Sequence, residues 1–208
     1  MHTISIFVDK NRMPKPASYF ECQTHLAKNL RNAANFIIRN LRTGLKKTPD
    51  TRTANENEVL ETVRIGIEMA NEKLLKDVDR LTKQLKNLPA NDPARTKIQK
   101  RIENKQKNHP SMPTSDHWML TYETLDAVMK NTKNPDYYAM PSQVNQQILR
   151  KVLKDWKSYF EALALYRQNP ERFKSQPKQP GYIKTPYTTV TFTNQVAKRS
   201  DIRGKMYI

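Results

Sequence analysis

Apolar positions recur along this chain with two different periods. Thr3 to Asp9 alternates, with Ile4, Ile6 and Val8 on one side and Ser5 and Phe7 on the other, the period-two signature of a strand. Pro14 and Pro16 end it, because proline cannot continue a ladder. Ser18 is then placed to cap a helix, with Glu21 completing a capping box. Leu26, Leu30, Ala33/Ala34, Ile37 and Leu41 form its buried stripe; Lys28, Arg31, Asn35 and Arg39 line the opposite face, and Gly44 is the stop.

A polar loop over 48–56 leads into a long helix ending near Leu88. Its Leu60, Ile67, Leu74, Leu81 and Leu88 lie seven apart, the seam of a coiled coil. Pro89 to Pro93 breaks the helix, and Asp92 caps a new one with Pro93 at its first position. Ile98 and Ile102 carry the seam onward, so 54–108 is predicted to be an antiparallel helical hairpin. Ser115 is expected to cap a helix bearing Leu120, Leu125, Val128 and Met129, and Asn134-Pro135 marks a turn. The stretch 141–168 is strongly amphipathic, its stripe being Ile148, Val152, Trp156, Tyr159/Phe160 and Leu163.

From Pro170 four prolines impose an extended, irregular course. Thr188 to Asn194 alternates and is β-branched, which predicts a strand; a turn at 201–204 precedes another at 205–208. The expected fold is therefore mainly α with a small β-barrel or sheet, assembled from both ends of the chain across a helical insertion. A sheet whose last strand coincides with the last four residues is expected to be cut short.

Composition narrows the partners. The 208 residues carry 37 Lys+Arg against 20 Asp+Glu, a net charge of +17, and mean hydropathy is −0.86. So large a charge repels itself unless polyanions screen it, and phosphate backbones are the commonest such partner. Basic residues are not gathered on one short helix beside Trp, Phe and Leu, which argues against a membrane surface. Cys22 is the single cysteine, so no internal disulfide forms. Without a leader or an apolar run of about 18 residues, the expected location is the cytosol, on nucleoid DNA.

Candidate chemistry is that of nucleic-acid contact. Gln143, Asn145, Gln146 and Gln147 gather amides able to pair with adenine edges at the start of a helix, where free N–H groups favour phosphate. Arg150, Lys151, Lys154 and Lys157 follow on the same helix. Tyr182, Tyr187 and Phe192 interleave with Lys174, Lys178 and Lys184, which suits stacking on bases beside a phosphate track; packing within the sheet is the other use for these rings. No phosphate-binding glycine loop, nucleophile elbow or convergent metal-ligand set is legible, so no catalytic or metal-binding residue is assigned.

An ordered series of segments resembles the amino-terminal part of the OrfB/TnpB family of transposon-encoded RNA-guided DNA endonucleases, related to type V CRISPR effectors. The segments are Leu30-Arg31-Asn32-Ala33-Ala34-Asn35-Phe36, then the run from Asn134-Pro135-Asp136-Tyr137-Tyr138 to Gln147. Asp155-Trp156-Lys157-Ser158-Tyr159-Phe160 follows, and after it the proline-rich PERFKSQPKQPGYIKT and the strand VTFTNQ. The resemblance implies a wedge barrel (1–13 and 170–208) split by a helical recognition lobe (14–169). It implies that Gln143, Gln146, Thr193 and Asn194 read a short target-adjacent DNA motif. It implies that Arg31, Arg39, Arg150, Lys151, Lys154, Lys157, Lys174, Lys178 and Lys184 hold nucleic-acid backbone, with Tyr182 stacking. The implied partners are a guide RNA and target double-stranded DNA.

Three departures stand out. The first strand lacks the family's Arg-x-Tyr-Pro, and residues 47–114 form an insertion expected to be an extra arm contacting RNA scaffold, the duplex or a second protomer. The family's RuvC-like nuclease domain, which would carry the divalent metal, does not follow the wedge, so the chain is expected not to cut DNA alone. Two other readings remain at this level: a coiled-coil assembly protein that forms a homodimer, and a split subunit completed in trans by a nuclease.

Overall fold

The computed structural model describes residues 14–107, 109–117, 119–192, 198–199 and 206–207. Among the described residues six α-helices carry the architecture: α1 (Pro14–Gly44), α2 (Ala54–Asn87), α3 (Ala94–Lys107), α4 (Tyr122–Asn131), α5 (Pro135–Tyr138) and α6 (Ser142–Gln168). They divide into two compact units, one of Ile37–Thr132 and one of Met1–Phe36 with Lys133–Ile208. Among the described residues no helix is long and apolar enough to cross a membrane.

The predicted barrel or sheet is not part of this architecture, which corrects the expected fold class to all-helical. Residues 188–192, read as the beginning of a strand, run without β pairing. The one β pairing among the described residues is a ladder of two residues a side, Lys198 opposite Tyr207 and Arg199 opposite Met206, too short to make a layer. Alternation can assign a residue to a face, but a strand needs a neighbouring strand to satisfy its backbone groups, and among the described residues 188–192 pairs with none. The strand expected at Thr3–Asp9 and the Thr193–Asn194 end of the other lie outside the described residues.

In the unit of Ile37–Thr132, the last turns of α1 contribute buried Ile37, Ile38 and Leu41. The polar stretch after α1 makes a single 3-10 turn at Pro49–Thr51. Thr53 then caps α2: its hydroxyl accepts from the Glu56 N–H at 3.3 Å while the Glu56 carboxylate accepts from the Thr53 N–H at 2.8 Å. The same carboxylate receives Lys47 Nζ at 2.8 Å, and these two bonds hold the Glu56 pKa down to about 2.

The heptad seam of α2 is divided between two partners of the same chain. Its first half buries Val59, Val63, Gly66, Ile67 and Ala70 and packs on α4, where Thr124 to Met129 are all buried. Gly66 permits the approach, for a Cβ there would stand 2.5 Å from Val128 Cγ2. Its second half packs on α3 through Leu81 and Ile102. The helix expected to start at Ser115 starts instead after Thr121, whose hydroxyl accepts from the Thr124 N–H at 3.2 Å. Ser115 lies inside a turn that Thr114 closes on His117, its hydroxyl accepting the His117 N–H at 3.1 Å. Pro110 and Pro113 keep the segment before it non-helical.

The other unit is built on α1 and α6. Ala17, Ala27, Leu30 and Ala34 of α1 are buried, as are Val144, Ile148, Leu149, Val152, Trp156 and Leu163 of α6. Helix α1 begins at Pro14, before the expected Ser18 cap; Ser18 sits inside the helix, its hydroxyl donating to the Lys15 carbonyl at 3.2 Å. Prolines fit a first turn, whose N–H groups have no helical partner in any case. Asn134 accepts from the Tyr137 N–H at 2.9 Å and so caps α5.

Candidate nucleic-acid interface

Three asparagines on successive turns of α1 hold other segments of the same unit. Asn29 Nδ2 donates to Asp136 Oδ1 at 3.2 Å. Asn32 pairs with the backbone of Ile183 in both directions: its Nδ2 donates to the carbonyl at 3.1 Å and its Oδ1 accepts the N–H at 2.8 Å. This side chain does for the 180–187 segment what a neighbouring strand would do. Asn35 is buried: Nδ2 donates to the Pro180 and Gly181 carbonyls at 3.2 and 3.0 Å, and Oδ1 accepts from Trp156 Nε1 at 2.9 Å. Asn35 therefore belongs to the interior, not to the polar face to which helical spacing assigns it.

Four segments distant in sequence thus meet in one place. The LRNAANF helix, the NPDYY turn, Trp156 and the PGYI stretch are joined by these bonds. Sequence reasoning missed the roles of Asn32 and Asn35. The available signal was a run of asparagines at three-residue intervals inside a helix, where asparagine is unfavourable unless its amide is used.

On α6 the amides and cations share a face. At 3.6 residues per turn, Gln143, Gln146, Gln147, Arg150, Lys154 and Lys157 fall within an arc of about 100°, with Lys151 at its edge. That arc is opposite the buried stripe through Trp156. Gln143, Gln146 and Gln147 are half-buried, and Arg150, Lys151, Lys154 and Lys157 are exposed. Asn145 is separated from the other amides, being buried with Nδ2 donating to the Tyr137 carbonyl at 2.8 Å. The first turn of α6 carries no acidic residue and no side-chain cap. Among the described residues neither Lys151 nor Lys154 has a carboxylate partner, and Lys157 approaches Glu161 only to 3.9 Å.

The remaining candidates are dispersed. Arg31 is ion-paired with Asp155 at 2.6 Å, which ties α1 to α6. Arg39 is half-buried in the unit of Ile37–Thr132. Lys174, Lys178, Lys184 and Tyr182 are distributed along the irregular segment after α6, and His25 meets the Tyr187 ring edge-on at 4.9 Å. Thr193 and Asn194 lie outside the described residues. Among the described residues no three His, Cys, Asp or Glu side chains are grouped to hold a metal ion.

No family model, no curated protein and no solved structure matches this chain.

Proposed function

We propose that this chain is the nucleic-acid recognition module of an RNA-guided, OrfB/TnpB-like system, binding a guide RNA and target double-stranded DNA. The observation that carries the reading is the solvent face of α6, where three glutamines are followed on the same arc by Arg150, Lys154 and Lys157. Glutamine amides supply the paired donor and acceptor that an adenine edge needs, and the cations behind them neutralise flanking phosphates. The net charge of +17 points to the same class of partner. The family part of the reading rests on the segments that converge around Asn32, Asn35 and Trp156, without the wedge barrel.

In this reading Gln143 and Gln146 contribute to reading a target-adjacent DNA motif. Arg150, Lys151, Lys154 and Lys157 hold backbone, and Lys174, Lys178, Lys184 and Tyr182 extend the track. Recognition is the role assigned to these 208 residues.

Sequencing the RNA that co-purifies with the protein is the decisive experiment. One structured RNA encoded near the gene is the expected result, and random cellular RNA would refute the guide. Gln146→Ala should reduce discrimination at the adjacent DNA motif by about 1–3 kcal/mol. Unchanged motif preference would remove Gln146 from the reading.

A further inference from the structure

The hairpin of α2 and α3 is fastened at three levels. At its tip the Arg95 guanidinium donates to the Leu85 and Leu88 carbonyls at 2.8 and 2.7 Å, closing the end of α2. Midway, Lys105 Nζ reaches Asp77 at 3.0 Å, and the Asp77 carboxyl is held below its usual range by that bond. Near its base Asn71 Nδ2 donates to the Pro110 carbonyl at 3.0 Å. Two of the cations on this arm, Arg95 and Lys105, are therefore consumed in holding it together.

The two helices treat their remaining charges differently. On α2 Arg64 is neutralised by Glu61 and Glu68, Lys76 by Glu72 and Arg80 by Asp77, while exposed Lys83 and Lys86 near the tip have no ion pair among the described residues. On α3, Lys97, Lys100, Arg101 and Lys107 are exposed, and among the described residues none has a carboxylate partner. Lys97, Lys100, Asn104 and Lys107 stand at i, i+3, i+7 and i+10, a single stripe about 15 Å long on the side away from Ile98 and Ile102. One strand of a duplex passes about four phosphates in that length.

We propose that this outer face of α3 is a second nucleic-acid surface, a rigid arm that grips the phosphate backbone of a duplex without reading its sequence. The face carries no aromatic ring on which an unpaired base could stack, which selects a duplex over a single strand. The isoleucines of α3 point to α2, so the helix offers no apolar side to a lipid surface. Lysine ammonium groups act as point charges toward phosphate, matching a backbone contact that carries no base identity. This surface is independent of the α6 reading.

The test uses the 208-residue chain and short random-sequence RNA and DNA duplexes, with affinity measured across a salt series. Combining Lys97→Gln, Lys100→Gln and Lys107→Gln should make the slope of log K against log salt shallower by about 2 to 3 units. Arginine at the same three positions should restore it. Glutamine is as good a helix former as lysine, so unchanged helical circular dichroism is expected. An unchanged slope on both duplexes overturns the proposal. So does a triple variant that loses binding to polyglutamate while its duplex slope stays put, which would assign the stripe to an acidic protein. An Arg150→Gln/Lys154→Gln variant separates the two surfaces. If it alone flattens the slope, the α3 proposal fails and the α6 reading stands. If only the α3 variant does, the α3 surface stands and the α6 reading fails.

Discussion

Gly66 is the position where one methyl group should cost most. A Cβ there would lie 2.5 Å from Val128 Cγ2, 3.3 Å from the Val128 nitrogen and 3.4 Å from the Thr124 carbonyl oxygen. Carbon atoms in contact rest at about 3.5–4.0 Å, so the overlap with the valine methyl is about 1 Å. Val128 is fully buried and two of the three nearest atoms are backbone, so α4 itself would have to retreat. Overpacking of this kind costs about 1–3 kcal/mol. Alanine returns about 1 kcal/mol through helix propensity. The net expectation for Gly66→Ala is a loss of about 0–2 kcal/mol. Val128→Ala vacates the space the new methyl needs, so the double variant should lose about 1–2 kcal/mol less than the sum of the single ones. Amide exchange along α2 and α4 reads this locally. A stabilised Gly66→Ala, or strictly additive variants, would refute the close-approach argument.

Trp156→Phe removes the donor to buried Asn35 Oδ1 and should destabilise by about 2–3 kcal/mol in a urea titration followed by circular dichroism. Asn35→Leu should cost at least as much, because it also deprives the Pro180 and Gly181 carbonyls of their donor, and a smaller loss would mean this asparagine matters little. Glu56 is held at about 2 in the folded chain against an ordinary 4.5. A depressed carboxylate stabilises the fold above its unfolded value, and that contribution fades as the pH falls from about 4.5 toward 2. Acid titrations should therefore show a shallower loss of stability for Glu56→Gln over this window; identical profiles would count against the Lys47 and Thr53 bonds. Lys133 holds a left-handed φ of 49°, so Lys133→Gly should raise stability by about 1 kcal/mol, and a lower melting temperature would contradict this.

Much of the helical layout is local and was open to reading. The start of α3 follows from Pro93 and the Asp92 carboxylate, which accepts the Ala94 N–H at 2.7 Å. The length of α6 follows from spacing alone, since Ile148, Val152, Trp156 and Leu163 return every turn or two and are buried. The glutamine turn and the cations that follow it could be placed on one helix from the same periodicity. Local rules erred where two of them competed. Ser115 and Thr121 are both residue types that cap helices, and the cap of α4 falls to Thr121 because Thr114 already binds the backbone around Ser115 into a separate turn.

Sequence by itself determined where helices could form, which stripe of each was apolar, and a surplus of positive charge. Only tertiary structure decided which surfaces those stripes meet. The α2 seam has one heptad spacing yet serves α4 and then α3, because a hydrophobic period specifies a face and not its partner. The strand expected at 188–194 shows the same limit: its described part, 188–192, pairs with no strand among the described residues, and a few residues earlier the Asn32 side chain takes that part for Ile183. Asn35 and Gly66 depend on atoms far away in the sequence, and no local pattern encodes what a residue will touch once distant segments are brought together.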